Sequence, residues 1–275
     1  MFLRFKNYMM LLMAAFFLSA CGEYQRVLKS TDLDFKLQKA QQYYDQGRYA
    51  QAFPLFDELM TLYRGTQKAQ DVYFYYAMTQ YKMGDYLLAA YHFKNFYQTF
   101  PNNPYAPEAA FMVGFAYYKD SPTYSLDQAN TYKAMNELQL FVNTHPGSEH
   151  TEECNQLIDE MRAKLQRKSY EIARQYWKTS YYKAAVESFN ISMSNFPDTP
   201  YREEMMYLKL DSSFKLAKNS IVDLQPQRFK ETQTAYYDLI DRFPETSYRK
   251  SADRIFQDTV EEIEYLKTEY EELFN

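Results

Sequence analysis

Small, aromatic and turn-forming residues recur along this chain at fixed distances. The series Ala40, Tyr44, Gly47, Tyr49, Ala52, Phe56, Leu59 and Tyr63 returns 37 positions later as Ala77, Tyr81, Gly84, Tyr86, Ala89, Phe93, Phe96 and Phe100. A further shift of 96 brings Ala173, Trp177, Ser180, Tyr182, Ala185, Phe189, Ser192 and Phe196. Two more copies carry insertions. One runs from Gly114 and Tyr118 through Ala134, Leu138 and Phe141 to His145, the other from Leu210 and Phe214 through Thr232 and Tyr236 to Phe243. This spacing predicts two antiparallel helices per copy. The alanines let neighbouring helices approach, Gly47 and Gly84 supply the positive φ that ends a helix, and the aromatics fill the space between.

The copies end alike. Phe100-Pro101-Asn102-Asn103-Pro104, Phe196-Pro197-Asp198-Thr199-Pro200 and Phe243-Pro244-Glu245-Thr246-Ser247 share one design, and His145-Pro146-Gly147-Ser148 is a variant. Proline cannot continue the preceding helix, and Asn, Thr or Ser caps the next, with Pro104 or Pro200 in its first turn. Residues 151–167 extend a helix between the third and fourth copies. Ile255, Phe256, Val260, Ile263, Leu266, Tyr270 and Leu273 give a last helix whose acidic outer face reads as a cap. The unit resembles the tetratricopeptide repeat. That resemblance implies an all-α, right-handed superhelical solenoid of about five helix-turn-helix repeats plus a C-terminal helix. It would be a single domain over residues 32–275, since no low-complexity linker divides it.

Composition sharpens this picture. Aromatics are 19% of 275 residues, with 29 Tyr and 21 Phe against only 6 Gly, which favours helices over a turn-rich β architecture. A net charge of -5 argues against a nucleic-acid footprint.

The first twenty residues read as an address. Arg4 and Lys6 precede the apolar run from Tyr8 to Phe17, which is short for a bilayer span, and Leu18-Ser19-Ala20-Cys21 follows. This looks like a bacterial lipobox: residues 1–20 are a signal peptide, Cys21 takes the lipid, and residues 21–31 are a lipidated tether. Cys154 then has no intramolecular disulfide partner.

Catalytic chemistry is not evident. The chain has no Gly-rich phosphate loop, nucleophile elbow or paired-histidine zinc motif, and no cofactor is expected. His150 and Cys154 lie one helical turn apart beside Glu153, but two ligands do not close a metal site. What remains is a surface. In tetratricopeptide-like pairs the first helices line a groove, which makes Tyr44, Phe74, Met78, Tyr81, Phe111, Phe115 and Tyr118 candidate groove residues. Lys82, Lys119 and Lys178 follow the conserved-offset aromatic of their copies and could receive an acidic group such as a peptide's terminal carboxylate. The same aromatics serve equally as inter-helix packing, and the lysines as solvated residues.

The lipobox, the repeat number and the extended third repeat together resemble the BamD family of outer-membrane assembly lipoproteins. The junctions that carry the likeness run on to Tyr105, Tyr201 and Tyr248. In the third repeat the matching features are Tyr117-Tyr118, a loop ending Leu126-Asp127-Gln128, and His145-Pro146-Gly147-Ser148. His145 stands in place of the usual junction aromatic and His150 in place of its Tyr. The resemblance implies a non-enzymatic protein held by lipid at the periplasmic face of the cell outer membrane. Its partners would be the barrel-forming assembly protein, with its periplasmic domains, and unfolded outer-membrane proteins. A scaffold for cell-wall or division proteins, or a glycan-binding lipoprotein, would share the composition. Cys21→Ser is expected to abolish incorporation of an alkyne-tagged fatty acid and to move the protein from the membrane to the soluble fraction, read by gel fluorescence after fractionation.

Overall fold

In the computed structural model, residues 22–270 are described, and Cys21 lies outside them. Among the described residues the secondary structure is helical, without strands. Residues 22–28, read from the sequence as tether, are helical, and Val27 is fully buried in the first core. The helices that follow are α1 (Leu33–Asp45), α2 (Tyr49–Leu62), α3 (Lys68–Met83), α4 (Tyr86–Thr99), α5 (Ala106–Asp120) and α6 (Ala129–Thr144). Then come α7 (Thr151–Lys178), α8 (Tyr182–Asn195), α9 (Arg202–Lys218), a 3-10 turn (Val222–Leu224), α10 (Gln225–Arg242) and α11 (Arg249–Glu269).

The chain divides into two compact units. Of the described residues, the first holds those up to Pro122 together with Gln128–Ile158, and the second holds Thr123–Asp127 and those from Asp159. In the first, each helix from α1 to α6 packs on the next, and α1 also meets α3. In the second, Tyr170 and Ala173 of α7 share a core with Ala185 and Phe189 of α8. There α8 packs on α9, α9 on α10 and α10 on α11, while α9 also meets α11. Each unit is thus an all-α stack of helix-turn-helix pairs of tetratricopeptide type.

The small residues of the repeat explain the stacking. Ala40, Ala52, Ala77, Ala89, Ala134, Ala173 and Ala185 are all fully buried. Gly114 stands where three other copies have alanine, and here even a methyl is too much. A Cβ at Gly114 would lie 2.7 Å from the Leu138 side chain and 2.9 Å from its backbone nitrogen. Around these contacts sit fully buried rings, Phe56 and Phe93 in the first unit and Phe189 and Phe229 in the second. Lys36 is buried among them. Its Nζ donates to Glu58 at 2.7 Å and to the Leu28 carbonyl at 3.2 Å, which ties the stretch at 22–28 to α1 and α2.

Helix ends follow the turn chemistry. Asp32 caps α1, its Oδ1 accepting from the Asp34 and Phe35 amides at 3.1 and 3.0 Å. Gly47, Gly84 and Ser180, aligned in the repeat, have φ of 72°, 90° and 63°. After each, the next amide reaches back five residues: Arg48 to Tyr43, Asp85 to Gln80 and Tyr181 to Tyr176. At the junctions Asn103, Ser148, Thr199 and Thr246 accept from the amide two residues on rather than capping a helix directly. Pro104 and Pro200 lie ahead of the next helix rather than in its first turn, because helix begins only at Ala106 and Arg202. The extension at 151–167 is part of one long helix, α7.

Two substitutions test these readings, with urea unfolding as the measurement. Ser180→Gly relieves a side chain from the left-handed region and is expected to stabilise the fold by about 1 kcal/mol. Gly114→Ala is expected to destabilise it by about 1–3 kcal/mol, since Leu138 and its backbone must shift.

Candidate functional site

The first helices of the pairs place the candidate groove residues in two groups within the first unit. In one, Tyr44 at the end of α1 meets Tyr49 and Tyr75 edge-on, with centroids 5.4 and 5.3 Å apart. Burial first, then the neighbouring Tyr49, Tyr75 and Asp45, push the Tyr44 phenol up to about 12, so it remains a neutral hydrogen-bond donor at physiological pH. In the other, Tyr81 of α3 faces Phe115 of α5 at 6.0 Å, and Phe115 stacks on Phe111 and Tyr118. Met78 is half-buried.

Phe74 and Phe111 occupy a different place. They are only 6% and 3% exposed, so the rings serve packing rather than an open surface. Each carries a junction ring laid flat upon it: Tyr105 on Phe74 at 4.4 Å and 8°, His150 on Phe111 at 4.0 Å and 4°. The second unit repeats the device with Tyr201 on Tyr170 and Tyr248 on Tyr207, both at 4.4 Å. The sequence pattern marked the junction aromatics but not their partners. The signal was available, because Phe74, Phe111, Tyr170 and Tyr207 share one repeat position. His150, a departure in sequence, makes the same stack. Its Nε2 also lies 3.0 Å from Glu108 and its Nδ1 3.4 Å from Glu153. Cys154, one turn on, is fully buried, and burial pushes its thiol up to about 11. A thiol so held is a poor metal ligand. Among the described residues no group of three or more His, Cys, Asp or Glu is placed to hold a metal.

The three lysines divide between the units. Lys82 and Lys119 are exposed in the first. Lys82 Nζ lies 5.8 Å over Tyr81, and Lys119 Nζ lies 5.0 and 5.7 Å over Phe115 and Tyr118. These two cations therefore border the Tyr81–Phe115–Tyr118 group, where cation–π attraction holds them. Lys178, also exposed, ends α7 in the second unit. There Trp177 replaces the tyrosine. Its indole Nε1 donates to Asp211 at 2.6 Å, and Lys215 pairs with Asp211 at 2.7 Å. Asp211 holds the position that Phe115 has in the first unit. Sequence reasoning missed it, although a half-buried indole N–H needs an acceptor. The first unit thus presents phenols, phenyl rings and ammonium groups, a surface suited to an aromatic peptide with a carboxylate.

Known proteins resemble this chain over much of its length. The sequence profile of YfiO, described as an outer membrane lipoprotein, matches residues 35–206. The outer membrane protein assembly factor BamD of Caulobacter vibrioides is 22% identical over 175 residues, which cover 64% of this chain and 57% of that protein. The alignment thus spans little more than half of that relative's length. The solved TPR2AB-domain:pHSP90-complex of yeast Sti1 aligns with a TM-score of 0.39 and 11% identity, over 83% of this chain and 98% of that one. The fold assignment rests on the helix packing above.

The junction stack makes its own prediction. His150→Ala is expected to lower stability by about 1–2 kcal/mol through loss of the ring contact, and His150→Tyr to restore most of it. The urea midpoint followed by far-UV circular dichroism checks both.

Proposed function

This chain belongs to the YfiO family of outer membrane lipoproteins, the BamD-family resemblance that its sequence suggested, and from that premise we propose that it is a non-enzymatic scaffold of outer-membrane protein assembly. In this reading a lipid on Cys21 holds it at the periplasmic face of the outer membrane. It binds the barrel-forming assembly protein through that partner's periplasmic domains. It also receives unfolded outer-membrane proteins.

The observation that carries the proposal is the family match itself, which runs from α1 into the start of α9. The surface of the first unit supports the substrate half. Tyr44, Tyr81, Phe115 and Tyr118 are half-buried rings, and Lys82 and Lys119 stand beside the last three. An extended, aromatic-rich segment ending in a carboxylate would stack on the former and pair with the latter. Phe74 and Phe111 act beneath this surface, as the floor that fixes it.

A pull-down tests the partner. With the C-terminus tagged and membranes extracted in mild detergent, a large β-barrel protein with repeated periplasmic domains is expected among the co-purifying proteins. Recovery of cell-wall or division proteins without such a barrel would replace the proposal with a scaffold of that kind. For the substrate surface, a labelled peptide ending in phenylalanine with a free carboxylate is the probe. Combined Lys82→Ala and Lys119→Ala is expected to weaken its binding about tenfold, corresponding to loss of one charge-assisted contact. Unchanged affinity would remove the lysines from the proposal.

A further inference from the structure

Helices α8, α9 and α10 of the second unit line two adjoining open clefts of about 540 and 250 Å³. Both are lined by Asn190 and Lys209, so they form one trough. Its floor is a single stripe of α9: Arg202, Met206, Lys209, Ser213 and Leu216, at alternating spacings of four and three. At 1.5 Å per residue this stripe is about 21 Å long, the reach of about six residues of extended chain.

The charges along it are mostly not paired with one another. Four cations and the three carboxylates of Asp238, Asp241 and Glu231 line the trough, and among the described residues only Lys209 of the cations has an ion pair, with Asp238 at 3.9 Å. Arg202 donates from Nη1 to the carbonyls of Met193 and Pro197, and its buried Nε has no partner. Arg228 donates to the Ser220 hydroxyl. Arg242 is exposed and has no ion pair among the described residues. Three guanidinium groups thus line one trough without an ion pair among the described residues, in a chain whose net charge is -5.

The corresponding cleft in the first unit shows that this is not a general property of the repeat. The shift of 96 that relates the copies carries Ala106 onto Arg202 and Ala110 onto Met206. Ala106 and Ala110 floor a cleft of about 250 Å³ between α4 and α6, whose lining is mostly alanine, proline, leucine and aromatic residues. The one carboxylate there, Glu137, pairs with Lys94 at 2.6 Å, and the guanidinium lining of the second-unit trough has no counterpart in this cleft.

We propose that the trough is a second binding site, for an extended segment of a partner protein that carries carboxylate side chains. Its guanidinium groups match carboxylates bidentately. Asn190, Ser213 and Thr234 offer hydrogen bonds to a main chain, and Met206 and Leu216 take apolar side chains. The carboxylates of Asp238, Asp241 and Glu231 on the α10 wall select against a continuous polyanion, which they would repel, and accept the N–H groups of a peptide. This site is independent of the aromatic surface of the first unit.

The test uses the full lipidated chain in detergent and fluorescence anisotropy. The probe is a labelled hexapeptide alternating glutamate with leucine, amidated at its C-terminus so that no terminal carboxylate is present. It is expected to bind, and the same peptide with lysine in place of glutamate is not. Arg242→Glu is expected to weaken binding about tenfold, the loss of one charge-assisted hydrogen bond, and Asp241→Lys to tighten it about threefold. Both side chains are exposed, so the urea midpoint should be unchanged. Lys82→Ala with Lys119→Ala should leave this affinity alone. Absence of binding at millimolar peptide, equal binding of the lysine peptide, unchanged affinity in Arg242→Glu, or stronger binding of a polyphosphate oligomer would each overturn the proposal.

Discussion

Stacked rings at the junctions fix how one helix pair follows another in each unit. Tyr105, His150, Tyr201 and Tyr248 arrive from a turn and lie within 9° of parallel on a ring of an earlier first helix. Helix packing through alanines sets distance but leaves helices free to slide, since small side chains interlock weakly. A ring laid flat on another ring removes that freedom, because it must meet one face at one place. The turn makes the placement cheap: Asn103, Ser148, Thr199 or Thr246 bonds to the amide of the stacking residue itself. Turn chemistry and ring contact therefore act on the same residue.

Most of this architecture could be read from the chain, for a physical reason. A helix pair that packs on both sides repeats its constraints, so the buried alanines and the left-handed turn positions recur at a fixed period. Ser180 shows how strong the pattern is. It adopts φ of 63° without being glycine, because the amide of Tyr181 still has to reach the Tyr176 carbonyl. The helical character of 22–28 was less legible. Seven residues carry too little period to stand out, and Val27 is recognised as core only once α1 and α2 supply the rest of the cluster.

The candidate site was legible in part. Aromatic residues on first helices were easy to list, but sequence alone does not separate a ring beneath a surface from a ring on it. Phe74 and Tyr75 are adjacent, yet Phe74 lies under Tyr105 while Tyr75 meets Tyr44 edge-on. The helix turns by about 100° between neighbours, and only the junction residue that lands on one of them reveals which faces inward. The Trp177–Asp211–Lys215 contact was hidden for the opposite reason. It replaces a ring pair by a hydrogen bond and an ion pair, so it breaks the very periodicity that exposed the rest.

That break carries functional meaning. A repeat keeps its packing positions because every copy needs them, and it differs where copies meet different demands. Between the two units the alanines and the junction stacks persist. Other positions do not: Phe115 gives way to Asp211, Ala106 to Arg202, and a cleft lined by alanine and leucine to one that carries arginines among its charged residues. Packing alone gives no reason to set guanidinium groups around a trough where alanine suffices, since an unpaired buried donor such as Arg202 Nε costs stability. Retaining that cost in one unit and not in the other is what a surface shaped for a charged partner requires.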